Sequence, residues 1–382
     1  MQIMDKVDTL YLAAICAVGG LGRAKVMKLV QALGSAQAVF EAEPQQLVAT
    51  GVVKEDAAAA FTDKRRKDVP MRLQRFCDQE GVRLVSYKDA DYPQSLLRIA
   101  DPPLVLYVKG SLPVAGYALA VVGSRECTEY GKKAAKVFTK DMALRGIPII
   151  SGGARGIDTT AHEACLSVGG KTVAVLGCGL DIAYPEENAG LFERIVRSGG
   201  AVISEYAPGT HPLAKNFPAR NRIIVGLSQG VLVAEAKLKS GAIITANIAA
   251  DEGRDVYCVP GNIFDATSKG CHELIRTGAK LVDTPQDILE DKAQWELAQK
   301  ERCVQPSIFD FANTEAEEEA NTAVTTSALG TKLLELLQAG SLPLEALVEG
   351  SGADFASVSM ELLELQGAGL VSQNQALHYY RR

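Results

Sequence analysis

The chain reads as an α/β protein built on a mostly parallel sheet, with a helical segment before it and a smaller domain after it. Three observations predict this class. Short apolar runs recur between residues 121 and 261. Each is followed by a Gly-bearing loop, and strand, loop and helix repeat about every 25–30 residues, as βαβ units do. In such sheets ligands sit beyond the carboxyl ends of the strands, so these loops converge on one edge.

The predicted strands are Val121-Val122, Pro148-Ile149-Ile150, residues 172–176, Ala201-Val202-Ile203, Gly230-Val231-Leu232-Val233 and Val256-Tyr257-Cys258-Val259. The loops that follow carry Gly123-Ser124-Arg125, Ser151-Gly152-Gly153-Ala154-Arg155-Gly156-Ile157-Asp158, Gly177-Cys178-Gly179-Leu180-Asp181 and Ser204-Glu205-Tyr206. A further short element is expected near residues 279–282.

Residues 8–75 read as helical. One helix begins at Leu10, Gly19-Gly20-Leu21-Gly22 makes a tight turn, and Val26, Leu29, Val30 and Leu33 fall at helical spacing before Gly34-Ser35. Helix, G-x-G turn and helix is the outline of a helix-hairpin-helix unit, whose turn amides can take a DNA phosphate. A small packing module with a glycine turn fits equally well. From Val82 the pattern becomes strand and turn, with strands at 82–86 and 104–108. Residues 292–325 contain Glu315, Glu317, Glu318 and Glu319 with little periodicity and read as a linker. The last segment predicts helices over 329–337, 342–348 and 355–365, then a β-wing at 370–372 and 377–380, the outline of a winged helix.

Composition narrows the function classes. The chain has 382 residues, is 47% hydrophobic and carries a net charge of −6. It is no bulk polycation, so binding to phosphate has to come from placed groups in a focused site. Residues 1–75 hold 11 Lys/Arg against 8 Asp/Glu, residues 117–290 hold 19 of each, and residues 326–382 hold 3 against 6. No apolar run approaches the roughly 20 residues of a membrane span. The N-terminus has no secretory apolar region, and a cytoplasmic location is expected. Eight cysteines, with no C-x-x-C pair, read as core thiols in a reducing compartment. Four histidines without ligand spacing argue against structural zinc.

The loops suit an anion. Glycines in 151–156 let backbone amides approach a phosphate ahead of a helix N-terminus. The string is neither G-x-G-x-x-G nor a P-loop, so no nucleotide cofactor is expected. Arg125 should project into the same crevice with a planar fork suited to phosphate, unless it is spent on a buried acid. Lys215-Asn216-Phe217-Pro218-Ala219-Arg220-Asn221-Arg222 places cations, amides and an aromatic together, as a single-stranded nucleic acid requires. The alternative is a helix start with Phe217 in the core. Asp181 and Glu205 read either as a carboxylate pair in the crevice or as anchors for Arg125, Arg155 or Arg222. His162 and Glu163 belong to no H-E-x-x-H string or nucleophile elbow, and no catalytic residue is assigned. The third helix of the final segment carries Glu361 and Glu364 and no Lys or Arg, so it predicts a protein contact in place of duplex reading.

At these residues the chain resembles the DNA-processing protein A family of bacteria (DprA, also called Smf). The resemblance rests on Val122-Gly123-Ser124-Arg125, the loop from Ser151 to Asp158, Gly177-Cys178-Gly179-Leu180-Asp181 with Tyr184-Pro185, Phe217-Pro218-Ala219-Arg220-Asn221-Arg222-Ile223-Ile224 and Val259-Pro260-Gly261. It is dense over about residues 85–285. It departs at Ala214, where relatives often place Lys, and at Glu186, where some place a basic residue. The resemblance implies an extended Rossmann-like domain over 79–291 that binds single-stranded DNA as a homodimer. A SAM or helix-hairpin-helix-like domain would occupy 1–78, an acidic linker 292–325 and a winged helix 326–382. It also implies loading of RecA onto incoming strands during natural transformation, without enzymatic turnover. Gly123, Ser124, Arg125, Ser151, Gly152, Gly153, Ala154 and Arg155 would contact phosphates. Lys215, Asn216, Arg220, Asn221 and Arg222 would line the same pocket, with Phe217 on a base. The reading from a different class is a nucleoside phosphate hydrolase, but the chain lacks P-G-G-x-G-T-x-x-E.

Overall fold

Strands and helices fall where apolar alternation and glycine punctuation place them. A computed structural model describes residues 2–65, 67–112, 116–304, 327–337, 342–367, 370–373 and 378–381. The chain divides into two units, residues 1–303 and residues 304–382.

The first unit opens with helices α1 (Gln2–Val18), α2 (Arg23–Leu33), α3 (Ala36–Glu41), α4 (Pro44–Ala49), α5 (Glu55–Lys64) and α6 (Val69–Glu80). The α1–α2 turn runs through Gly19 and Gly20, both at positive φ, where a side chain would be strained. Strand β1 (Val82–Ser86), helix α7 (Gln94–Leu97), and strands β2 (Val105–Gly110) and β3 (Leu119–Val122) follow. Then come α8 (Glu129–Leu144), β4 (Ile149–Ser151), α9 (Ile157–Leu166), β5 (Thr172–Val175), α10 (Ala189–Arg197) and β6 (Ala201–Ser204). The unit ends with α11 (Asn216–Gly226), β7 (Gly230–Val233), α12 (Gly241–Asp251), β8 (Asp255–Cys258), α13 (Lys269–Arg276), β9 (Lys280–Leu281) and α14 (Pro285–Val304).

The nine strands form one sheet in the order β1-β2-β6-β5-β4-β3-β7-β8-β9. From β6 to β9 neighbours are parallel, and β1 and β2 extend the sheet antiparallel beyond β6. Period-2 alternation divides the core between the faces. Leu119 and Val121 pack with Phe138 and Met142 of α8 and Ile157 of α9. Ala120 and Val122 pack on the other face with Ile223 and Ile224 of α11 and Ala246 of α12. The central strands are buried on both faces, which is why they read as continuous apolar runs.

Three expectations change in this unit. The N-terminal helices share a core with Val82, Val105 and Tyr107 of β1 and β2, and Leu180 and Ala207 from the strand-edge loops pack against it. They are thus part of the first unit and do not stand apart from it. The segment read as linker from residue 292 is helical to Val304, because α14 continues that far; residues 305–325 lie outside the described residues. Cys16, Cys77, Cys127, Cys165, Cys178, Cys258 and Cys271 are free, and Cys16 is exposed, against the expectation of a core thiol.

In the second unit α15 (Ala328–Leu336) precedes β10 (Leu342–Pro343), α16 (Leu344–Ser351), α17 (Phe355–Gly367), β11 (Val371–Gln373) and β12 (His378–Arg381). The strands pair antiparallel in the order β10-β12-β11 around Leu333, Leu347, Leu362 and Val371. Residues 342–343, expected to begin a helix, form a strand, since β10 is an edge strand that tolerates Pro343, and Pro343 is then the N-cap of α16.

A crevice at the sheet's switch point

From β3 the chain steps through β4, β5 and β6 to one side and then returns to place β7 on the other side of β3. The loops after β3 and β7 therefore part, and a crevice opens between them, as expected at a topological switch point. A cavity of about 580 Å³ lies there, lined by Gly123, Ser124, Arg125 and Glu126 after β3 and by Lys237, Ser240, Gly241 and Thr245 after β7. Ala154, Asp158, Tyr184, Pro212, Phe217, Arg220 and Asn221 complete most of its wall.

The walls are held by close backbone approach. The Ser124 amide donates to the Glu235 carbonyl (2.8 Å), and the Ile157 amide to the Ser124 carbonyl (3.2 Å). A Cβ on Gly123 would stand 2.5 Å from Ile157 Cγ1 and 2.9 Å from the Glu235 carbonyl oxygen. Gly156 has φ +80°, and a Cβ there would meet the carbonyl oxygens of Ser124 and Arg125 at 2.3 and 2.7 Å. These glycines let three loops meet without side chains between them.

Arg125 is exposed, and its guanidinium carbon lies 5.2 Å from the centroid of the Phe217 ring. Phe217, half-buried at the start of α11, also meets the Tyr184 ring at 5.4 Å between centroids, tilted 41°. A cation over one aromatic face, with a second ring beside it, forms a platform at the mouth of the cavity. Opposite, α12 starts at Gly241 with no side-chain cap, and Ser240 Oγ is buried without a hydrogen-bond partner. The Ile243 amide donates to the Ser240 carbonyl (3.2 Å), which leaves the Gly241 and Ala242 amides at the start of α12 to meet an anion.

The floor is a buried charged pair. Arg220 donates from Nη1 to the carbonyls of Gly152 (2.8 Å) and Val175, and from Nε to Asn221 Oδ1 (3.2 Å). Burial pulls its guanidinium down to about 10 despite the Asp158 carboxylate nearby. Burial likewise pushes Asp158 up to about 6, against the pull of Arg220 and of the Ala154 amide that donates to Oδ2 (3.3 Å). A Cβ on Gly152 would sit 2.7 Å from both Arg220 Nη2 and Asp158 Oδ2, so the pair clamps the glycine loop.

Several expected site residues lie elsewhere. Ser151 is fully buried and donates from Oγ to the Val121 carbonyl (2.7 Å). Gly153, at positive φ, packs on Phe192, and its carbonyl accepts from Asn188. Asn216 is buried and donates to the Gly177 carbonyl (3.1 Å). Arg155 is exposed and paired with Glu187. Arg222 lies outside the cavity: Nη1 and Nη2 donate to Glu205 Oε1 and Oε2 at 2.7 and 2.6 Å, and Nε donates to the Asp101 carbonyl (2.8 Å). A bidentate carboxylate satisfies that guanidinium, the anchoring alternative for Glu205. Lys215 is exposed at the N-cap of α11, beside the cavity lining and not in it. The cavity brings together Gly123, Ser124, Arg125, Ala154, Phe217, Arg220 and Asn221. Sequence reading missed Lys237, Ser240, Gly241 and Thr245. The signal was there, since residues 234–240 follow an apolar strand just as the other loops do.

His162 does no surface chemistry. It is wholly buried, with Nδ1 2.7 Å from Thr172 Oγ1, and burial holds its imidazole down to about 3. Because Thr172 Oγ1 donates to the Ile149 carbonyl, Nδ1 carries the proton. Among the described residues no group of His, Cys, Asp and Glu could hold a metal ion, and no helix is long and apolar enough to cross a membrane.

Fold and site together define a Rossmann-like α/β protein with a cationic, aromatic-edged crevice at its switch point. The chain belongs to the DNA recombination-mediator protein A family, whose pattern it matches over residues 83–293. It is 48% identical over 207 residues to the DNA processing protein DprA of Streptococcus pneumoniae, covering 54% of this chain and 73% of that protein. The crystal structure of that DprA superposes with a TM-score of 0.62 at 37% identity, covering 74% of this chain and 97% of that one. Protein Smf of Synechocystis is 32% identical over 410 residues, covering 99% of this chain and all of its own length. DNA processing protein A of Helicobacter pylori, described for its single-stranded DNA binding mode, superposes at TM-score 0.50 and 29% identity, covering 56% and 96%.

Proposed function

We propose that the crevice binds single-stranded DNA and that the chain is a cytoplasmic recombination mediator. In this reading it works as a homodimer that protects incoming strands and loads RecA onto them during natural transformation. The observation that carries it is Arg125 stacked on Phe217 at the mouth of a switch-point cavity. A base can stack on the Phe217–Tyr184 platform while phosphates meet Arg125, the Gly123-Ser124 backbone and the uncapped start of α12. Lys215 adds charge at the rim. Arg220 and Asn221 form the floor, with Arg220 holding the loop of Gly152, Gly153 and Ala154 in shape. Arg155 and Arg222 act through their carboxylate partners, as scaffold. The second unit is read as a winged helix that contacts protein. Its supports are the exposed Phe355 and Met360 on α17 and the absence of Lys and Arg from that helix.

The test is fluorescence anisotropy of a labelled oligothymidylate with wild type, Arg125→Ala and Phe217→Ala at two salt concentrations. Stacking contributes about 1–3 kcal/mol per base, so Phe217→Ala should weaken binding by roughly 5- to 150-fold. Arg125→Ala should weaken binding across sequences and lower the salt slope by about 0.7. Binding indifferent to both substitutions would place the strand elsewhere and end this reading.

A further inference from the structure

Beyond the crevice, we infer that the outward face of α8 carries the strand onward, as a second cationic track for single-stranded nucleic acid. The inference rests on the crevice reading and extends the site along the molecule. Helix α8 begins four residues after Arg125 in a loop whose Glu126 lines the cavity. Its start is fixed there, since Glu235 Oε2 accepts from the Thr128 amide (2.8 Å) and the Thr128 side chain accepts from the Gly131 amide.

Lys133, Lys136 and Lys140 are exposed at i, i+3 and i+7, so they share one face about 10 Å long. Nearby acids are already committed. Glu129 pairs with Lys132 (2.7 Å), Asp141 with Arg145 (2.7 Å), and Glu126 with Lys237 (2.9 Å). Among the described residues the three lysines have no ion-pair partner, so their charges stand open on this face although residues 117–290 as a whole hold 19 Lys/Arg against 19 Asp/Glu. Tyr130, one turn before Lys133, is 52% exposed, and its hydroxyl donates to the Pro260 carbonyl (2.5 Å). That bond fixes an open ring at the crevice end of the row. Cations flanked by a fixed ring one turn away suit a single strand, whose phosphates take the charges while a base stacks. Continuity with the crevice and sign of charge select the strand's flank as the occupant.

The experiment compares wild type with the Lys133→Gln/Lys136→Gln/Lys140→Gln variant of the full chain. It uses oligothymidylates of about 6 and about 30 nucleotides at several salt concentrations. All three positions are solvent-facing, and an unchanged unfolding midpoint confirms that the variant folds. The short oligonucleotide should bind within about twofold of wild type, while the long one binds more weakly with a salt slope lower by about 2. An unchanged slope and affinity for the long oligonucleotide would overturn the inference. An equal loss for both lengths would overturn it as well, since that is a general charge effect. If short-oligonucleotide binding is indifferent to Arg125→Ala, the crevice reading itself fails. A lysine-dependent slope for the long strand would then show α8 acting alone, and the path from the crevice would be refuted.

Discussion

Arg222→Ala separates a scaffold arginine from a DNA-contacting one. Arg222 gives Glu205 two charge-assisted hydrogen bonds at 2.6 and 2.7 Å and gives the Asp101 carbonyl a third. Side-chain exposure is 20% for Arg222 and 16% for Glu205, so truncation leaves a mostly buried carboxylate without its cation. Breaking a fully buried pair costs about 3–5 kcal/mol, and the residual exposure of this one lowers the expectation to about 2–3 kcal/mol. The assay is urea unfolding followed by the fluorescence of Trp295, the single tryptophan, which packs edge-on against Tyr117 within the first unit. Adding Glu205→Ala removes the stranded charge and should recover roughly 1–2 kcal/mol in a double-mutant cycle. Below the unfolding transition, oligothymidylate affinity should fall less than about threefold, with no change in salt slope. The reasoning is refuted if the unfolding midpoint stays put while the salt slope drops by about 0.7, for Arg222 would then be a phosphate ligand.

Two further predictions follow from the crevice walls. Gly156→Ala places a Cβ against two carbonyl oxygens at a φ that L-residues avoid, so it should cost roughly 2–4 kcal/mol in urea unfolding. By shifting the Ser124-Arg125 backbone it should also weaken oligothymidylate binding, and a neutral variant would show that the close approach is dispensable. Asp158 and His162 oppose each other in pH dependence. The folded pKa of Asp158 is raised, so its contribution is complete below about 3.8 and is lost as pH rises through about 6. That of His162 is depressed, so its contribution is complete above about 6.5 and is lost as pH falls toward about 3. Between pH 6 and 4 the two slopes offset. Asp158→Asn leaves His162 unopposed, and its stability relative to wild type should fall by up to about 1.4 kcal/mol per pH unit on acidification. Parallel stability profiles for the two proteins across that window would exclude the raised carboxyl.

The sequence exposed the sheet because its strands are buried on both faces, and apolar runs bounded by glycine are local signals. Gly230-Val231-Leu232-Val233 and residues 82–86 coincide with β7 and β1, and other strands differ by a residue or two at their ends. The crevice was legible at Arg125 and Phe217, where residue type alone suggests a phosphate fork and a stacking ring. At Arg222 it was legible only as one alternative, Glu205 as an anchor for any of three arginines, because Glu205 and Asp101 lie 17 and 121 positions away and reach it only across packed loops. The loop of Lys237 and Ser240 was missed because its strand was read without the turn that follows it.

By itself the sequence determined the class of fold, the edge on which a ligand must sit and the residue types available there. Each follows from local periodicity and from the steric freedom of glycine. Only the tertiary structure decided which cations remain free. Arg125, Arg155, Arg220 and Arg222 are alike in sequence, yet one stacks on a ring in the open, two meet carboxylates and one is buried under a loop. A guanidinium's availability depends on the acceptors within hydrogen-bond reach, and the fold alone brings those acceptors from distant parts of the chain.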